Sequence, residues 1–386
     1  MKLLLYDMGA YTQNDIMDAL DKLGISYKNV LYKLSSLYQD AYFEKRIAEF
    51  LTQEKYDAVF SINYYPVLAE ICYSHSLPYL SWTYDSPIQI PEIEKTLGYK
   101  TNYIFFFDKA ECENYWKKGY YNVFHLPLAV NTHRLDKVKI TEDDKKKYQA
   151  QISMVGQLYE TGIPTYMMPL ELYDKGYLSG VIETQLRLYG SYILKDVITD
   201  EIVDRINKRY KALKLENVTL TKEILTIEMA KHITCLERTL ILEVLSNEYQ
   251  VKLYGPDGKQ NLGKVTWMGS AGYFDEMPKV FKLSDINLNI SLKCIASGIP
   301  LRVLDIMGCG GFLISNYQPE LAEYFTDGED IVWYTSLEEV AVKCQYYLQH
   351  EAERREIAQK GYEKVKELFC YENRLLFMLQ KAGLQL

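Results

Sequence analysis

Short runs that are apolar on both faces alternate with amphipathic stretches along most of this chain. Residues 2–6, 27–32, 58–62, 79–82, 103–107 and 123–126 read as strands, with helices expected over 14–23, 41–53 and 67–74. In 14–23 the apolar positions Ile16, Met17, Leu20 and Leu23 follow helical spacing. Strands without a polar face must be covered on both sides, so the pattern predicts a parallel sheet between two helical layers. A second alternation opens at 151–155 and passes through a mainly helical stretch over 165–245, including 201–213 and 224–245. It resumes with strands at 251–254, 265–268, 286–290 and 311–315. The tail, 337–384, reads as two helices broken near 369–371.

The expected architecture is α/β, with two Rossmann-like parallel-sheet domains facing a cleft. The first covers 1–130 and the second, with extra helices, 131–366; the helix of 367–386 would cross back onto the first. The charge run 141–147 reads as a solvated helix surface at the junction. Ligands of such sheets bind outside the carboxyl ends of the strands, which makes the cleft the expected site.

Composition narrows the function classes. The 386 residues carry a formal net charge of −8, which argues against nucleic acid or an anionic membrane surface as the main partner. The Cys residues, 7 in number, are dispersed with no C-x-x-C pair, and the 5 His show no zinc-ligand spacing. Reduced thiols of this kind favour a cytoplasmic location. The apolar start meets Asp7 at once, too early for a signal peptide, and no apolar run approaches the ~20 residues of a membrane span. Integral membrane contact is not expected; peripheral association stays open. The 35 Tyr suit hydroxyl-rich ligands, although base composition of a genome produces the same bias.

The stretch 296–316, ASGIPLRVLDIMGCGGFLISN, carries the most chemistry. Ser297 and Gly298 form a polar loop after a strand, and Pro300 suits a first helical turn. The free amides at that helix start, with its dipole, make an anion site. Arg302 and Asp305 lie three apart on one helix face. The guanidinium suits a bidentate grip on phosphate and the carboxylate suits a sugar hydroxyl. Val303, Ile306 and Met307 take the buried side, and the glycines from Gly308 end the helix. A tight helix–strand turn with a surface Arg–Asp pair is the plainer account. There is no P-loop, and the first strand is followed by Gly9 alone, not by a dinucleotide-binding fingerprint.

This stretch resembles the donor-binding segment of GT-B glycosyltransferases, and most of all the CgeB-like (spore maturation protein) family with its group-1-like C-terminal transferase domain. Tyr254-Gly255-Pro256-Asp257, Trp267-Met268-Gly269 with 272–290, and HLPLAVNTHR at 125–134 are similar to further parts of that pattern. Trp82-Thr83-Tyr84-Asp85-Ser86-Pro87 resembles a strand-end motif of the family. The resemblance implies transfer of a sugar from a nucleotide sugar to a protein or glycan acceptor, with no metal and no cofactor. It places Ser297, Gly298, Ile299, Pro300 and Leu301 against the donor sugar and diphosphate. Asp305 would meet the ribose, Gly156 would sit in the glycine turn facing the diphosphate, and Gly9 would be its counterpart in the first domain. The family's first glutamate falls at Ser297, so the stereochemical outcome stays open.

A direct displacement needs a general base near the acceptor hydroxyl, and Asp85, at a strand end, is the first candidate; an Asx-type turn is its rival reading. Trp82 and Tyr84 suit stacking on sugar faces or packing in the core, and His125 suits substrate orientation or a structural role. Two other functions remain open at this point: a nucleotide-sugar sensor without turnover, and a GT-B-fold nucleotide-sugar epimerase.

Overall fold

The computed structural model describes residues 1–215, 219–256 and 262–385. The chain divides into two compact units. The first comprises Met1–Arg134, Gly298–Leu304 and Lys364–Leu386; the second comprises Leu135–Ser297 and Asp305–Glu363.

In the first unit, strands β1 (Lys2–Asp7), β2 (Ser26–Leu31), β3 (Ala58–Ile62), β4 (Tyr79–Thr83), β5 (Asn102–Phe106) and β6 (Val123–His125) form a wholly parallel sheet in the order β2-β1-β3-β4-β5-β6. Every residue of β3 and β4 is buried, the small polar Ser61, Ser81 and Thr83 included, as a sheet covered on both faces requires. In register, Leu4 pairs with Val59 and Phe60 with Leu80. The core gathers Tyr6, Phe43, Leu68, Tyr79 and Phe106. The last helix, Tyr371–Lys381, packs on helix Gln13–Lys22 and on β5, with Lys22 Nζ 3.1 Å from Glu372.

In the second unit, β7 (Ala150–Val155), β8 (Val251–Tyr254), β9 (Thr266–Trp267), β10 (Ser284–Asn289), β11 (Leu313–Asn316) and β12 (Val332–Tyr334) form a parallel sheet in the order β12-β11-β10-β7-β8-β9. The chain moves outward from β7 through β8 and β9, then jumps to the other side at β10. The β7–β10 boundary is therefore a topological switch point, and the crevice above its carboxyl ends is where such sheets hold ligands.

The extra helices build a second core of their own from Ile163, Leu178, Ile206, Tyr210 and Met229. The 25-residue helix Lys222–Ser246 joins this core to the sheet. It presents Leu225, Met229 and Ile233 to the helical cluster, and Ile241, Leu242 and Leu245 to the sheet cluster with Leu253 and Leu288. At 1.5 Å per residue such a helix is about 37 Å long, enough to span both.

Three expectations change. The tail consists of three helices, Leu337–Gln349, Glu351–Leu368 and Tyr371–Lys381. The added break falls at His350, whose ring nitrogen bonds the Tyr346 carbonyl while its own carbonyl accepts the Arg354 amide. The charge run is only partly a solvated surface. Thr141 and Asp144 form a capping box for helix Glu142–Tyr148, and Asp144 and Lys147 pair with Lys279 and Glu276 at 2.9 Å each. Strand β9 is shorter than the run 265–268, with both its residues exposed. Asp257 lies outside the described residues. No helix among the described residues is long and apolar enough to cross a membrane.

Candidate active site

At the switch point of the second sheet, Gly156 follows β7 and Gly255 follows β8. A Cβ on Gly255 would lie 2.4 Å from the Gly156 carbonyl oxygen, so this close backbone approach requires glycine. The Gly156 amide donates to the Tyr254 carbonyl at 2.9 Å. Beside it the Arg238 guanidinium, almost wholly buried, donates to the carbonyls of Gln157 and Ile290 and ties the ends of β7 and β10 together.

Glu237, the preceding residue, is fully buried. Its carboxylate meets Lys293 Nζ at 2.8 Å and accepts from the hydroxyls of Tyr189 (2.8 Å) and Tyr334 (3.0 Å). Burial, then the nearby carboxylate, pushes both phenols up in pKa. Sequence reasoning missed this network. Its one signal is that Glu237 and Arg238 fall at helical spacing from the apolar Ile233, Ile241 and Leu242, where buried charge demands partners.

The segment leading to helix Leu301–Gly308 is held at several points. The Ser291 amide donates to Asn316 Oδ1 at 2.7 Å, and the Lys293 amide to Thr234 Oγ1 at 3.0 Å. Ser297 Oγ donates to Glu320 Oε1 at 2.8 Å, and the Glu320 amide returns a bond to the Ser297 carbonyl at 3.1 Å. Both residues are buried, and Ile299 is fully buried. In the first unit a Cβ on Gly298 would stand 2.9 Å from both Asp108 Cα and the Phe107 ring. These positions fix the loop by packing. Pro300, Leu301 and Arg302 are half-buried, and Val303, Ile306 and Met307 take the buried side. Asp305 is 3 % exposed and accepts from the Tyr273 hydroxyl at 3.3 Å. Arg302 and Asp305 therefore differ in access although they share a helix.

On the first unit, the carboxyl edge of the sheet brings together residues from three strand ends. Gly9 follows β1 with φ +92, exposed, its amide donating to Asp7 Oδ1 at 2.7 Å. Asn63 follows β3, and Tyr84 and Asp85 follow β4. Asn63 Nδ2 donates to Asp85 Oδ2 at 2.7 Å, and Asn63 Oδ1 accepts the Tyr84 amide at 2.8 Å. Asp85 is exposed. Tyr65 lies within electrostatic reach of both Asp85 and Asp7, though burial is the main cause of its raised phenol pKa.

Trp82 belongs to the core. It is wholly buried, and its indole N–H donates to the Leu126 carbonyl at 3.2 Å, so it presents no face to a substrate. Tyr84 is half-buried, edge-on to Trp82, with its hydroxyl 3.4 Å from that of Tyr371. His125 is half-buried at the end of β6. Among the described residues no group of three or more His, Cys, Asp or Glu is placed to hold a metal ion.

Residues 238–380 match the family model described as Glycosyl transferase-like. This part of the chain is similar to glycosyltransferase domains. The matched residues begin at Arg238 and take in β8 to β12 and helix Leu301–Gly308. Solved structures extend the likeness over the whole chain. Sucrose-phosphate synthase from Thermosynechococcus elongatus aligns with a TM-score of 0.58 at 12% identity, covering 98% of each chain. Alr3699/HepE from Anabaena, in complex with UDP-glucose, aligns at 0.55 and 10% identity over 99% of each chain. A glycosyltransferase from Rickettsia africae ESF-5 gives 0.54 and 11% identity over 98% of each. At these identities the likeness establishes the fold, which is GT-B with two Rossmann-like sheets. No curated protein matches the chain by sequence.

Proposed function

We propose that this glycosyltransferase moves a sugar from a nucleotide-activated donor to a hydroxyl of a protein or glycan acceptor, in the cytoplasm, in the manner of the CgeB-like family. The observation that carries the reading is the glycosyl transferase-like match over 238–380, which contains Arg302 and Asp305 on one short helix. That HepE from Anabaena was solved with UDP-glucose supports a nucleotide sugar as the donor class.

In this reading the donor diphosphate lies at the carboxyl edge of the second sheet. The resemblance assigns its binding to the Gly156 turn, to the amides from Gly298 to Leu301 and to Arg302. Asp305 accepts from the ribose. Gly9 serves the opposite substrate from the edge of the first sheet. In the reaction the bond between the sugar's C1 and the diphosphate oxygen breaks, its electron pair leaving with the nucleoside diphosphate. The acceptor oxygen forms the new bond to C1 and its proton passes to the Asp85 carboxylate. Charge accumulates on the leaving diphosphate, so preorganised donors there act on the barrier, at roughly 3 kcal/mol for a well-placed one. The Arg302 guanidinium and helix amides supply the positive charge without a metal ion.

The test is a panel of nucleotide sugars screened by thermal shift, followed by transfer assays on the binders. A ligand at about 100 times its Kd stabilises the folded form by ~2.7 kcal/mol, which moves a chain of this size by roughly 3 °C. A panel without any shift, or binding that never yields nucleoside diphosphate, overturns the reading.

A further inference from the structure

We propose that Asn63 is a positioning residue that aims the Asp85 carboxylate at the acceptor hydroxyl; this rests on Asp85 being the base of the reaction above. Asn63 holds φ 62, the left-handed region, at the end of β3. A non-glycine residue there is uncommon, and such conformations persist where the surroundings impose them. Here every polar group of the residue is engaged. Its amide donates to the Trp82 carbonyl at 2.8 Å and its carbonyl accepts from Ser61 Oγ at 2.6 Å. Its side-chain oxygen takes the Tyr84 amide, and its side-chain nitrogen ends on Asp85 Oδ2.

The backbone around it is fixed independently. Tyr64 and Tyr65 are buried, and the Tyr79 hydroxyl bonds both Ser61 Oγ (2.7 Å) and the Tyr65 amide (3.0 Å). Glycine would satisfy the backbone at φ 62 with less strain. The side-chain oxygen serves the turn by accepting the Tyr84 amide, but the side-chain nitrogen does something the turn does not need. Its bond to Asp85 reaches an exposed carboxylate, where water would replace it at little cost to stability. What water does not supply is direction. Held by one amide across two strand ends, the carboxylate keeps one oxygen engaged and turns the other to the proton it accepts while the acceptor oxygen attacks C1.

The arrangement yields a clean test, because Asn63→Gly keeps the backbone and removes the aim. Wild type, Asn63→Gly, Asn63→Asp and Asp85→Ala are compared for nucleoside diphosphate release from UDP-glucose, UDP-N-acetylglucosamine, GDP-mannose and dTDP-rhamnose, each varied singly, with water as acceptor. Thermal melting is measured alongside. Asn63→Gly is expected to lower kcat about 10- to 100-fold, the scale of an ångström-sized misplacement, with donor KM within about twofold and a Tm lowered slightly, because relief at φ 62 offsets only part of the lost bond to the Tyr84 amide. Asn63→Asp keeps the bond to Tyr84 but sets a like charge against Asp85, and is expected to lose at least as much. Full kcat in Asn63→Gly beside an inactive Asp85→Ala overturns the role of Asn63 alone. Full turnover in Asp85→Ala removes the base, and the inference with it. No release by wild type counts against the transfer reading itself.

Discussion

Lys293 Nζ and the Glu237 carboxylate stand 2.8 Å apart with side chains 6 % and 0 % exposed, so an ion pair lies inside the second unit shortly before Ser297. Removing one member strands the other charge in the interior, at a typical cost of about 3–5 kcal/mol. Lys293→Ala is expected to lower stability by that order in urea titrations. The double change Glu237→Leu with Lys293→Met should recover only part, because the Tyr189 and Tyr334 hydroxyls then lose their acceptor. A single variant that melts like wild type would show that the pair carries no such weight.

Arg302→Ala should weaken nucleoside diphosphate binding about 10- to 100-fold, the range of a charge-assisted hydrogen bond, while Tm stays within a degree or so. Its side chain is half-buried. Calorimetry with UDP and GDP reads the change directly, and unchanged affinity for both would remove Arg302 from the donor site.

Gly255→Ala puts a methyl group 2.4 Å from the Gly156 carbonyl oxygen, so one of the two strand-end turns must shift. Overpacking of this kind costs about 1–3 kcal/mol, and the shift falls where the diphosphate is proposed to bind. Lower Tm together with weaker UDP binding is the expected outcome; a loss of Tm with binding intact would place the diphosphate elsewhere.

Acid should unfold the second unit through carboxylates remote from the site. Asp144 is held down to about 2, chiefly by its bond from Lys279, and Glu276 to about 2 by bonds from Tyr148 and Lys147. Both folded values lie below the unfolded ones, near 4. Their stabilisation is therefore complete above about pH 5 and drains away as pH falls towards 2. Lys279→Gln should flatten the decline of Tm over that window, which melting curves from pH 7 to 2.5 would reveal.

The strand layout was legible because short apolar-rich runs such as β3 and β4, buried on both faces, recur between helical stretches. Helix Leu301–Gly308 announced itself through Pro300 and the glycines after it. The tail break at His350 was not legible, since no glycine or proline marks it and the helical spacing runs through. Trp82 illustrates a different limit: an aromatic ring at a strand end looks the same whether it faces a sugar or the core, and only the Leu126 carbonyl decides. Asn63 gave no signal, and Glu237 only its place beside Arg238, for a shared reason. Each acquires its meaning from a partner on another strand end or helix, and local sequence carries no record of which partner arrives.

The helix Lys222–Ser246 has a consequence for any attempt to trim this protein. One rod forms a wall of two separate oily compartments, so the helical annex from Ile163 to Tyr210 is not a detachable ornament. Excising it would leave Leu225, Met229 and Ile233 facing water along a beam that the sheet still needs. A minimal version of the enzyme must keep the annex or repaint that stripe with polar side chains.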